Sequence, residues 1–214
     1  MSDLDLLLKG LAIGLAIAAP VGPIGLLCIR RSLAQGKLAG FVTGIGAATA
    51  DGVYGAIGAF GITAISALLV DQQRWLAMAG GLFLIWLGIG GMRRPPATEA
   101  ATPSRSARDL AGFFVSTFAL TLTNPATILS FAAVFAGLGL GAGAQGGMSA
   151  GSIGAALITI AGVFTGSAVW WLFLSNAVGW LRTRLGPALL VWINRLSGLI
   201  LVGFGLLAVW TALR

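Results

Sequence analysis

The sequence has no histidine, a single cysteine and very little charge, and each shortage closes off a class of function. Without histidine the usual zinc sites and histidine relays cannot be assembled. With Cys28 alone there is no intramolecular disulfide. No serine–histidine, paired-acid or histidine–glutamate constellation is present, so the chain is not expected to be an enzyme or to carry a cofactor or metal. Charged residues make up 9% of the chain against 57% hydrophobic residues. With a mean hydropathy of +0.97 and 33 glycines, this composition fits a helix bundle packed closely in lipid rather than a soluble domain.

Apolar runs near 4–29, 39–69, 75–92, 111–138, 152–178 and 188–213 are each long enough, at about 20 residues, to cross a hydrocarbon core of about 30 Å. The expected fold is therefore an all-α membrane protein with six transmembrane helices. The first run is read as a retained helix although Ala16-Ile17-Ala18 resembles a small-residue cleavage site. Asp3 and Asp5 precede it with only Lys9, and signal peptides begin with positive charge.

Nine of the thirteen lysines and arginines fall in three alternate connections: Arg30, Arg31 and Lys37; Arg93, Arg94, Arg105 and Arg108; Arg182 and Arg184. Arg74 stands alone in the second connection, and the fourth, about 139–151, is uncharged. Positive charge marks cytoplasmic loops, which puts both termini outside the cytoplasm of an inner-membrane protein. The net charge of +7 follows from this scatter and not from a nucleic-acid surface.

Pro20-Val21-Gly22-Pro23 interrupts the first run, and Asn124-Pro125 interrupts the fourth. Proline removes a backbone donor and clashes with the preceding turn, so both helices are expected to break there. Such breaks persist in lipid only where they are buried in protein or line a cavity. Gly81–Ile89 aligns with Gly198–Leu206 at four identities in nine, and the glycine pairs Gly40/Gly44 and Gly162/Gly166 fall in the same order. Three helices per half means that the second half enters the membrane from the opposite side. The expected organisation is one transporter domain over 1–214, with repeat one at about 1–92, a Pro-, Ala-, Thr- and Ser-rich linker at about 93–110 and an inverted repeat two at about 111–214. Paired breaks in inverted repeats point to a midplane substrate site.

The half-helix beyond each break presents unpaired N–H groups and a positive dipole end, suited to a carboxylate. Asn124 is placed to cap the second start, Pro125 is its first helical residue, and Thr127 offers a hydroxyl. Asp51 is the acid that lies well inside an apolar run, roughly 20 Å along the second helix. An intramembrane acid is a functional candidate, able to alternate between holding an ammonium and carrying a proton. Its structural alternative is an ion pair with Arg195. Tyr54, Thr49, Thr123, Trp170 and Trp171 are further polar or aromatic candidates around these positions. The expected substrate-binding set is Pro20, Gly22, Pro23, Asp51, Asn124, Pro125 and Thr127.

The stretch Pro20 to Leu33 with Gly36 and the Gly44 to Asp51 segment resembles the LysE-type amino-acid exporter family. Thr123-Asn124-Pro125 with Thr127, Gly80-Gly81 to Arg93, and Arg195 with Gly198 are similar to its later signatures. Many relatives have glycine directly before the helix-two aspartate, where this chain has Ala50. The resemblance implies a six-helix inner-membrane exporter of amino acids or related small zwitterions, driven by the proton gradient or membrane potential. It carries over Pro20, Gly22 and Pro23, Asp51, and Asn124 with Pro125. A monomer or a homodimer is compatible with the sequence. The competing readings are a cation or metal transporter, for which a lone acid is a poor ligand set, and a membrane-embedded non-transport subunit, which would not need matched breaks.

Overall fold

The computed structural model describes residues 2–20, 22–60, 71–93, 106–137, 150–182, 184 and 186–213. Every regular element among these residues is a helix. The first, α1 (Asp3–Ala18), opens on a capping box: Ser2 Oγ accepts from the Asp5 N–H at 3.2 Å, and Asp5 Oδ2 accepts from the Ser2 N–H at 3.0 Å. It ends before Pro20, and the chain restarts as α2 (Pro23–Gln35), bent by 79° from α1, with Pro23 in the first turn where no N–H is needed. Gly36, at φ 91°, then turns the chain directly into α3 (Lys37–Ala59). That backbone region favours glycine because it lacks a Cβ.

The next helix, α4, covers Gln73–Arg93. It is followed by α5 (Ala107–Leu122), where Ser106 Oγ accepts from the Asp109 N–H at 3.2 Å. The chain breaks again and continues as α6 (Pro125–Gly137), with a bend of 60° measured to Val134. Long α7 (Ala150–Arg182) and α8 (Pro187–Leu213) complete the described fold.

Two stretches, Ile153–Arg182 and Val191–Leu213, are long and apolar enough to cross a membrane, and counting each bent pair as one span gives four. At 23 and 21 residues, α3 and α4 also reach the length a span needs. The outward faces carry Trp86, Phe173 and Trp192, each more than 60% exposed, the reverse of a helix that faces water. This is a multi-pass, all-helical membrane architecture.

The helix ends depart from the apolar runs in one instructive way. Arg30 and Arg31, expected in a first loop, stand inside α2, because nothing between Ile29 and Gln35 breaks the helix and the connection shrinks to Gly36. Arg31 is buried at 8% exposure, and Arg30 Nη1 donates to the Leu87 carbonyl of α4 at 2.8 Å. Val21, positions 61–69 of the second apolar run, Arg94, Arg105, most of the linker, and 139–149 of the uncharged connection lie outside the described residues.

Packing is densest between α4 and α8, between α1 and α7, and between α3 and α7, with α5 and α2 also against α3. Glycine permits these approaches. A Cβ on Gly81 would stand 2.7 Å from the Gly205 carbonyl, and one on Gly88 would stand 2.6 Å from that of Gly198. Gly10, Gly14, Gly162 and Gly166 play the same part between α1 and α7. Two buried clusters result. One joins Ala18, Ile24, Leu27, Ala47, Ala48, Leu120 and Trp171; the other joins Tyr54, Ile57, Ile128, Phe131 and Val163.

Candidate substrate site

Asp51 lies between the two clusters. On α3, Ala47 and Ala48 precede it in the first cluster, and Tyr54 follows it in the second. Only 3% of it is exposed. A buried carboxylate needs hydrogen-bond partners to offset its lost hydration. One is supplied from α7, where Ser167 Oγ donates to Asp51 Oδ2 at 2.7 Å. Trp171, one turn further along α7, donates its indole N–H to Ser167 Oγ at 3.0 Å. Both donors are themselves buried.

The first break stands at the same level as Asp51. From the Gly36 turn, α2 runs back to Pro23 over thirteen residues, about 20 Å, and α3 runs forward to Asp51 over fifteen, about 22 Å. Packing agrees with this register, since Ser32 abuts Gly40 and Ile24 shares a cluster with Ala48. Gly22 caps α2 in an extended conformation, with no side chain bonded to the helix start. The N–H groups of Ile24 and Gly25, which precede the first intrahelical bond from Leu26 to Gly22, therefore have no side-chain cap. A Cβ added at Gly22 would meet nothing within 4 Å, and Pro20 is exposed.

The second break is finished differently. Asn124 Oδ1 accepts from the Ala126 N–H at 3.2 Å, and the Asn124 carbonyl accepts from the Ile128 N–H at 3.1 Å. The Leu122 carbonyl, at the end of α5, accepts from the Tyr54 hydroxyl at 2.8 Å. Tyr54 in turn stacks on Phe131 of α6 at 5.1 Å between ring centroids. Thus Tyr54, one turn from Asp51, ties α3 to the break. Pro125 and Thr127 are half-buried in the first turn of α6.

Other residues singled out from the sequence are placed elsewhere or spoken for. Arg195 is exposed on α8 and forms no salt bridge with Asp51. Thr49 donates to the Ile45 carbonyl at 2.8 Å and Thr123 to that of Ala119 at 2.9 Å, each within its own helix. Trp170 packs at the edge of the first cluster.

Sequence reasoning did not single out Ser167. Its one signal was spacing, since Val163, Ser167 and Trp171 recur every four residues on the buried stripe of α7. It also took Arg31 for a loop charge. The guanidinium instead donates to Thr43 Oγ1 on α3 at 3.1 Å, and on α5 to Thr117 Oγ1 and Ser116 Oγ at 2.8 Å and the Phe113 carbonyl at 3.0 Å. It also lies 4.7 Å from the Phe113 ring centroid. These bonds fasten α2 to α3 and α5.

The arrangement has a buried acid, an uncapped half-helix start level with it, and among the described residues no cluster of three or more metal-ligating side chains. Comparison with known proteins agrees in kind. Over 203 residues and 94% of each chain, it is 27% identical to "Putative amino acid efflux protein YcgF" of Bacillus subtilis. It is 29% identical over 150 residues to the Escherichia coli protein named "Uncharacterized membrane protein YahN", covering 70% of this chain and 64% of that one. A "Threonine efflux protein" of Salmonella typhi is 26% identical over 150 residues, 65% of this chain and 68% of the relative. No solved structure matches. The model of the LysE type translocator family matches residues 15–211, nearly the full length. The chain is a transporter and not an enzyme, and it belongs to the LysE type translocator family.

Proposed function

We propose that this translocator exports amino acids or related small zwitterions across the cytoplasmic membrane, as a secondary transporter coupled to the proton gradient or the membrane potential. The observation that carries the reading is the buried Asp51 carboxylate level with the uncapped start of α2. A zwitterion needs a negative group for its ammonium and a positive one for its carboxylate, and these two elements supply both. The names of the efflux relatives support the substrate class.

The proposed architecture is six spans in two inverted repeats, with helices one and four broken. Several features support it. In each half a Ser-x-x-Asp start opens a 16-residue helix, a break follows, and a 13-residue helix begins with proline: α1 and α2 in one, α5 and α6 in the other. Exchanging the halves also preserves the densest contacts. It turns α1 against α7 into α5 against α3, and leaves α3 against α7 and α4 against α8 paired with themselves. Under the alignment of Gly81 with Gly198 and Gly88 with Gly205, the Gly81–Gly205 contact becomes the Gly88–Gly198 contact. Such repeats suit alternating access around a fixed site. With the connections that carry Arg93, Arg94, Arg105 and Arg108, and Arg182 and Arg184, in the cytoplasm, both termini lie outside.

The test is uptake of radiolabelled L-threonine into inside-out vesicles, with and without an acidic lumen. The wild type is expected to accumulate it, more so with the gradient. Asp51→Asn keeps the shape of the side chain but removes its charge and titration, and is expected to abolish gradient-driven uptake at an unchanged melting temperature in detergent. Uptake by Asp51→Asn equal to the wild type overturns the role of Asp51. For a panel of amino acids, uptake no greater than in vesicles lacking the protein overturns the substrate class.

A further inference from the structure

The two oxygens of Asp51 are treated unequally by the fold. Oδ2 accepts from Ser167 at 2.7 Å, whereas Oδ1 has no hydrogen-bond donor among the described residues. The direction of the bonds follows from the donor inventory. An indole N–H only donates, so Ser167 Oγ must accept from Trp171, and its single hydroxyl proton is then committed to Oδ2. Neither donor has room to drift. A Cβ on Gly14 of α1 would lie 3.0 Å from the Ser167 nitrogen, and one on Gly44 of α3 would collide with the Trp171 side chain, so both residues are gripped by neighbouring backbone.

We infer that Ser167 and Trp171 assign roles to the two carboxylate oxygens, fixing Oδ2 in the wall and leaving Oδ1 as the single atom for which a substrate ammonium and a proton compete. The inference rests on the proposed role of Asp51 and adds a positioning residue to it. The Ser167 hydrogen bond draws charge from Oδ2 and leaves Oδ1 the more basic oxygen. A proton therefore adds to Oδ1, where an ammonium would bind, so one positive charge leaves as the other arrives. Strict alternation of amine and proton then needs no second titrating side chain. The surroundings offer little else. Tyr54 is the other ionisable group on this stretch of α3, α6 has none, α7 has none before Arg182, and α5 has only Arg108 and Asp109 at its start. On α2, Cys28 bonds to the Gly40 carbonyl, Arg30 reaches α4, and Arg31 is bonded to Thr43, two turns before Asp51. On α1, Asp3, Asp5 and Lys9 lie in the first two turns.

The experiment measures initial rates of L-threonine uptake into inside-out vesicles over a range of external pH. In the wild type, external protons are expected to raise KM and leave Vmax unchanged, as for two cations sharing one atom. Ser167→Ala frees Oδ2, so amine and proton can occupy different oxygens. KM is expected to rise about ten-fold, the scale of one hydrogen bond to a charged group, and acidification now also to lower Vmax. Trp171→Phe keeps a ring but removes the N–H, and is expected to change both quantities in the same sense by less. A Ser167→Ala protein with wild-type KM and purely competitive inhibition by protons overturns the inference. Should that variant fail to accumulate in the membrane, unchanged behaviour of Trp171→Phe overturns it. Asp51→Asn, measured alongside, separates the two levels. If it is inactive while Ser167→Ala is unaffected, the assignment of oxygens alone fails; if it is active, the role of Asp51 fails with it.

Discussion

The two breaks are framed by the same parts and finished in opposite ways. A 16-residue helix leads into each and a 13-residue helix opening on proline leads out. The second break supplies partners of its own: Asn124 caps the Ala126 N–H, and the Leu122 carbonyl accepts from the Tyr54 hydroxyl. The first is bent more sharply, 79° against 60°, and Gly22 brings no side chain to its helix start. A backbone donor left without a cap in an apolar setting carries a cost that a ligand can offset. Two breaks opened by the same residue type thus leave different backbone donors uncapped. What separates the two is whether the chain supplies its own acceptor. In the proposed mechanism the substrate carboxylate is accordingly held by the start of α2, and the α6 break serves as fixed wall.

The largest effect is expected from erasing the first break. Alanine at Pro20, Gly22 and Pro23 restores two donors, removes the ring clashes and favours a continuous helix. Threonine uptake by vesicles is expected to be lost while protein persists in the membrane, and normal rates would mean that the bend is packing alone. An intermediate effect is expected from giving the first break the chemistry of the second. Gly22→Asn has open space for its side chain and a backbone that any residue adopts, φ −105°. Stability should change by only a few tenths of a kcal/mol, but a cap that occupies the α2 donors should raise the KM for threonine. An unchanged KM would argue against those donors as the carboxylate site. The smallest effect on transport is expected from Asn124→Ala, which uncaps Ala126. It should cost about 1 kcal/mol, read as a lower melting temperature, with KM nearly unaffected. A large KM change there would reverse the assignment of the two breaks.

Much of this was legible in the residues because it rests on backbone chemistry that leaves little choice. Proline locates the breaks, and an acid among apolar residues stands out at Asp51. The pairs Ser2/Asp5 and Ser106/Asp109 went unread as helix starts, although each follows the Ser-x-x-Asp spacing of a capping residue and its first turn. What could not be read were partnerships across distance. Ser167 is one serine among several in a glycine- and alanine-rich helix, and it meets Asp51 from 116 positions away. Arg31 carries no mark that distinguishes a loop cation from one buried against neutral oxygens. Local sequence fixes where a helix starts; which buried polar groups face each other depends on the crossing of helices, set here by glycines whose closeness appears only in the packed bundle.

The Gly36 turn has a consequence for selectivity. Because α2 and α3 are joined by that one residue and pinned by Arg31 on Thr43 and by Cys28 on the Gly40 carbonyl, the start of α2 and Asp51 belong to a single cross-braced hairpin. In the proposed mechanism the spacing between the two poles of the site is thus a built-in ruler, set within one covalent unit. A ruler of this kind measures the separation of ammonium and carboxylate and is indifferent to what else the molecule carries. It discriminates by the distance between the two charges, and it allows cargo of many shapes so long as that one length is right.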